Sequence, residues 1–135
     1  MTGRGLQVHE WRETGYQPLV FSPAWQVALL NWEPLFDLAN AGEIERHNRT
    51  DEVFILTQGR AILFTIDEQG MQVEEMLPGV VYNVRQGVWH NLLSTRDATW
   101  VIVEDRDTHL HDCEYRRLSP PELAHLKSNL PAWIS

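Results

Sequence analysis

Four side chains in this chain are of types that bind metals or move protons and are spaced so that they can meet: Glu45, His47, Glu52 and His90. The first three fall in one stretch, "ERHNRTDEVFILTQG", residues 45–59. Its second half, "EVFILT", has the composition of a half-buried or fully buried strand, yet it opens with a carboxylate. An ionised group at the mouth of an apolar strand costs free energy unless it is paired, solvated or bound to something. Glu45 and His47 stand two apart, so on an extended segment they project to one face. "NRTD" supplies the turn residues that reverse the chain before Glu52. Three ligand-type side chains can therefore converge across one hairpin. His90 follows the glycine turn in "RQGVWHNLL" and opens another strand, with Leu92 and Ser94 on its own face.

Other candidates carry less. "THLHDCE" holds His109, His111 and Cys113, but the spacing is unlike the paired knuckles of structural zinc and has no second half, so a solvated segment after the last strand is expected. Trp25, Trp32, Trp89 and Trp100 read as core or interface. In "VVYNV" one of Tyr82 and Asn83 must face inward, and Tyr82 is the best acid/base candidate outside the ligand set. No Ser-His-Asp order, phosphate-binding loop, dinucleotide fingerprint or glycosidase carboxylate pair stands out.

The elements that position these residues are short. "WQVALLNW", "EVFILT", "RAILFTID", "MQVEEML", "VVYNV", "WHNLLST" and "ATWVIVE" read as strands, separated by turn signals such as "TQGR", "DEQG", "LPG" and "RQG". Their spacing predicts an all-β antiparallel sandwich or barrel. On the Glu52 strand, Phe54 and Leu56 share the face of the carboxylate, while Val53 and Ile55 face the other way. Both faces need cover. The outer one needs an N-terminal sheet laid over it or a second subunit, and a homodimer is expected. "SPPELAHLKSNLP" predicts one helix, about 120–129, with Ser119 as N-cap, Pro120 at the first position and Glu122 completing a capping box.

Composition bounds the rest. At 135 residues the chain is read as a single domain, 1–135, long enough to bury a core. A formal charge of −8 argues against nucleic acid and against an anionic membrane surface. Cys113 is the only cysteine, so no intrachain disulfide can form, and a cytoplasmic setting fits.

"ERHNRTDEVFILTQG" and "GVVYNVRQGVWHNLLS" together resemble the two motifs of the cupin superfamily, in order and with a conventional gap. His47 takes the second histidine of the first motif, Glu52 its glutamate and Gly59 its glycine; Gly79, Gly87 and His90 match the second. Glu45 stands where the first histidine belongs, Arg85 where a proline belongs and Ser94 where an asparagine belongs. The resemblance implies a double-stranded β-helix, a jelly-roll barrel with motif residues meeting inside one end. It also implies a divalent transition metal there. His47, Glu52 and His90 make two imidazoles and a carboxylate, a facial set that suits iron, manganese, nickel or zinc and leaves positions open for a substrate. Glu45 is a fourth ligand, an acid/base, or a salt-bridge partner of Arg46, Arg49 or Arg85. Two functions follow as expectations. One is a small metal-dependent dioxygenase, isomerase, lyase or decarboxylase acting on a small organic acid or sugar. The other is a non-catalytic small-molecule-binding module, in which the histidines and Glu52 simply pair. An acid/base group inside the barrel that is not a ligand would favour the enzyme.

Overall fold

The computed structural model describes residues 5–134. Ten strands form two antiparallel five-stranded sheets. In chain order they are β1 (Tyr16–Phe21), β2 (Trp25–Asn31), β3 (Glu43–Arg46), β4 (Glu52–Gln58), β5 (Ala61–Asp67), β6 (Gly70–Glu75), β7 (Val81–Val84), β8 (Trp89–Ser94), β9 (Thr99–Asp105) and β10 (Glu114–Arg117). One sheet runs β1-β2-β9-β4-β7 and the other β10-β3-β8-β5-β6. This is the expected jelly-roll barrel.

Period-two burial sets the inner face. Phe54 and Leu56 on β4, Trp100 and Ile102 on β9, Ala28 and Leu30 on β2, and Leu63 and Leu92 on β5 and β8 fill the space between the sheets. The outer face of the second sheet is covered by a second cluster, in which Ile44, Ile62, Phe64 and Leu93 meet Leu126 of helix α2 (Pro120–Ser128). Ser119 and Glu122 form the capping box, and Glu122 also takes a bidentate ion pair from Arg116, which ties the helix start to β10.

The N-terminal strands do not form a further sheet over Val53 and Ile55; "WQVALLNW" joins their own sheet through β9, because Val27 and Leu29 pair with Val103 and Val101. The strands β1 and β10 were not legible as strands. β1 contains Pro18, which an edge tolerates at a register shift, and β10 is the polar edge "EYRR". The predicted C-terminal helix is α2, and "THLHDCE", expected as a solvated segment, contains a single helical turn, α1 (Thr108–His111). No helix among the described residues is long and apolar enough to cross a membrane.

Gly59 shows how tightly the barrel is wound at the β4–β5 turn. Its φ is +82°, and a Cβ there would lie 2.7 Å from the Ala98 backbone. Gly79 has a similar φ of +78° with open space around it. Gly79→Ala should therefore cost only the backbone strain, about 1–3 kcal/mol, while Gly59→Ala adds a clash with main chain. Denaturant unfolding that finds the two variants equally stable would contradict this packing.

Candidate metal centre

Strand register builds the site. In the first sheet Gln26, Glu104, Glu52 and Val84 lie in one cross-strand row on the inner face. In the second sheet Thr65, His90, Glu45 and Tyr115 form the corresponding row. The two rows supply the polar side chains at one end of an otherwise apolar interior. His47, immediately after β3, reaches in between them.

Glu45, His47, Glu52 and His90 each offer one ligand atom, all within 4.8 Å of one another. His47 and His90 are both buried, and their Nε2 atoms converge on the same Glu52 oxygen, Oε1, at 2.9 and 2.8 Å. Each ring's other nitrogen faces a main-chain carbonyl: His47 Nδ1 lies 2.7 Å from Asp112 O and His90 Nδ1 3.0 Å from Val88 O. Those carbonyls need Nδ1–H donors, which frees both Nε2 lone pairs to bind a cation. Glu45 Oε1 lies 3.8 Å from His90 Nε2. Among the described residues it has no arginine partner: Arg46 pairs with Glu114 instead, at 3.1 Å. The salt-bridge alternative for Glu45 is therefore not what the fold builds.

Both nitrogens of each ring face acceptors, an arrangement that favours the protonated imidazole. Burial works against the His47 charge, but the hydrogen bond and charge of Glu52 outweigh it and raise its pKa to about 10. His90 moves in the same direction for the same reasons. Glu52 is pushed up by burial, yet hydrogen bonds from the two histidines hold it down at about 2. Glu45 is raised, first by burial and then by the Glu52 charge.

Glu104 is the foremost of the residues that sequence reasoning missed. It sits directly opposite Glu52 on β9, and burial followed by the Glu52 charge pushes its carboxyl up to about 8. Its Oε1 accepts from Tyr16 Oη at 2.5 Å, and Gln26 donates to the same tyrosine oxygen at 2.9 Å. Its Oε2 is buried with no hydrogen-bond partner, 3.9 Å from His47 Nε2. A signal existed in "WVIVE": Trp100, Ile102 and Glu104 repeat in reverse the alternation of Glu52, Phe54 and Leu56.

These groups line a cavity of about 260 Å³. Near the lower end of ligand pockets, it suits a small molecule. His109 and Cys113 also line it, so "THLHDCE" is not merely a solvated tail; His111 is exposed and takes no part. Asp112 fastens the β3–β4 turn, its carboxylate accepting from Asn48 N and Arg49 N at 2.9 and 2.8 Å. Tyr82 does not reach the cavity. It pairs with Phe54 in the apolar row, its hydroxyl accepts from Leu77 N at 2.8 Å, and it lines a different cleft. Asn83 points out to Asp51. Of the tryptophans, Trp100 is core, Trp32 packs against it, Trp89 carries Arg46 and Arg116 on the outer face, and Trp25 is exposed.

The donor set fits a divalent transition ion: two imidazole nitrogens and carboxylate oxygens converge, and a buried carboxylate oxygen beside them lacks any partner. No protein-family model and no curated protein matches the chain. Solved structures do. A cupin-2 domain containing protein from Shewanella frigidimarina superposes with a TM-score of 0.55 at 23% identity, covering 71% of this chain and 85% of the other. KdgF from Halomonas sp. gives 0.56 at 14% identity, over 76% and 92% of the two chains. Streptomyces Pac13, solved with uridine, gives 0.58 at 11% identity, over 83% and 88%. With two sheets wound in this order and the polar rows at one end of the interior, the chain has the cupin fold.

Proposed function

We propose that this chain is a small metal-dependent enzyme whose reaction moves a proton on a low-molecular-weight substrate, as isomerases and lyases do. The observation that carries the proposal is Glu104, an acid/base group inside the barrel with its Oε2 unpaired beside the histidines. His47, Glu52 and His90, joined by Glu45, would hold iron, manganese, nickel or zinc, and the two carboxylates would balance the ion's charge. A bound ion would act as a Lewis acid toward a substrate oxygen. The proton chemistry belongs to the chain. Glu104 keeps a proton to near neutral pH and can donate it from Oε2 or take one back there. Tyr16 fixes Oε1, which leaves Oε2 as the unpaired oxygen beside His47. Phe54, Leu92 and Ile102 form an apolar floor that keeps water from the reacting atoms. Pac13 is described as a nucleoside dehydratase, which is elimination chemistry on the same fold and supports this reaction class.

Metal analysis and a titration of the purified protein test the site. His90→Ala should abolish tight binding, although it lies far from the Glu45–His47–Glu52 stretch in sequence. Unchanged affinity in His47→Ala/His90→Ala would place the ion elsewhere. Glu104→Gln should retain the ion and lower turnover by about 10²–10⁴-fold. Glu45→Gln separates its two remaining roles, since lost metal marks a ligand and retained metal with lost turnover marks an acid/base.

Protons and metal compete here, and the signs are fixed. His47 is raised from 6.5 to about 10, so its stabilisation is complete below pH 6.5 and is lost as pH rises through 10. Glu104 is raised from 4.5 to about 8, so the folded state holds a proton that the unfolded chain has released, and stability falls across that window too. The thermal midpoint of the metal-free protein should therefore drop as pH rises from 6.5 to 9, by scanning fluorimetry with chelator. The increment produced by added metal should grow over the same range, because binding expels the Nε2 protons. A flat metal-free profile would sink the buried-histidinium account.

The outer face that carries Val27, Val53, Ile55, Val101 and Val103 is half-exposed, with Val81 at its edge 63% exposed. We read it as the contact face of a homodimer. Sedimentation at micromolar concentration should give a dimer, and Val53→Glu should dissociate it; a parent monomer would refute the reading.

A further inference from the structure

The cavity is lined by five carboxylates, Glu33, Glu43, Glu45, Glu52 and Glu104, against three imidazoles, and by no lysine or arginine among the described residues. A divalent ion with two neutral histidines offsets Glu45 and Glu52. Glu33 and Glu43 remain. Both are half-buried, and among the described residues neither side chain has a hydrogen bond or ion pair. They stand near enough that the Glu43 charge, after burial, raises the Glu33 carboxyl. The arginines of neighbouring strands are engaged elsewhere. Arg46 holds Glu114, Arg116 holds Glu122, and Arg117, opposite Glu43 in register, lies against Gly42 and makes no ion pair with it. A second observation marks the interior as built for a ligand: the Glu104 side chain is 2% exposed, lines the cavity and leaves Oε2 unpaired.

We propose that this cavity takes an uncharged or cationic small molecule, rich in hydroxyl or amine donors, and excludes carboxylates and phosphates. An anion entering it meets Glu33 and Glu43 with no protein cation to offset them, in a space too small to keep its full hydration. A hydroxyl or ammonium group meets acceptors that have no other donor. The proposal deepens the enzyme reading above by naming its substrate class, and of the two classes expected from the sequence it selects the sugar-like one over the organic acid. Its sign survives without an ion, since two imidazolium groups would still leave the carboxylates in excess.

The test compares isopropanolamine, propylene glycol and lactate, which share one carbon skeleton and differ in charge at one end. Each is titrated into zinc-loaded protein, with the methyl NMR signals of Leu92 and Ile102 as readout and zinc stoichiometry measured in parallel. The amine and the diol should bind about tenfold or more tightly than lactate, even though a carboxylate is the better zinc ligand. In E33Q/E43Q the gap should close to about threefold or less, with zinc stoichiometry unchanged. Lactate binding as tightly as the amine overturns the proposal, as does an unchanged gap in the double variant or silence from all three probes. A protein that takes up no zinc ends the metal reading alone; the same order of affinities on the metal-free protein would still uphold the selection by charge.

Discussion

Two carboxylates facing each other across adjacent strands, Glu52 and Glu104, set the problem that the rest of the structure answers. Like charges in direct cross-strand register destabilise a sheet, and here both side chains are nearly sealed from water, at 6% and 2% exposure. The fold separates their fates. Glu52 receives both histidine Nε2 atoms and remains ionised. Glu104 receives Tyr16, has no cation within hydrogen-bonding distance and keeps its proton. A single row of a β-sheet thus holds a charged carboxylate next to a neutral one.

This division depends on positions fixed elsewhere. The rows behind it, Ala28–Ile102–Phe54–Tyr82 and Leu30–Trp100–Leu56, are apolar and close-packed, so the polar end cannot slide inward. His47 lies outside any strand and is held by contacts from distant segments. Gly87 N donates to its carbonyl at 2.6 Å, and Asp112 O accepts from its ring. The turn before β8 and the segment after α1 are therefore parts of the site although neither supplies a ligand atom. A one-residue slip of β9 would turn Glu104 outward and put Val103 or Asp105 in its place.

Much of this was legible in the sequence, and the boundary has a physical meaning. Glu45, His47 and Glu52 were readable because their separations are short enough for local geometry to dictate a shared face, and His90 was readable from its turn and motif context. Glu104, Tyr16 and Gln26 were not, and His109 was noticed only within a segment read as solvated. The first three meet the others through β1–β2, β2–β9 and β9–β4 pairing, and no local pattern states which strand neighbours which. Tyr82 failed for the complementary reason. Period two correctly turned it inward, but facing the interior does not say at which end of a barrel a side chain lies, and register placed it one row too deep. The edge strands β1 and β10 were hidden because an edge needs neither full alternation nor freedom from proline.

The same row places both proposed roles in one cavity. Glu104 is raised first by burial and then by the negative charges of Glu52 and Glu45, while the His47 charge already works in the opposite sense. A divalent ion that expelled both Nε2 protons would exchange two positive charges for two, so the charge facing Glu104 would change little and burial would still hold its proton. Metal and acid/base would then act side by side without either switching the other. That independence follows from which residues β9 and β4 place next to each other: the cations gather on Glu52, and Glu104 keeps its own partner in Tyr16.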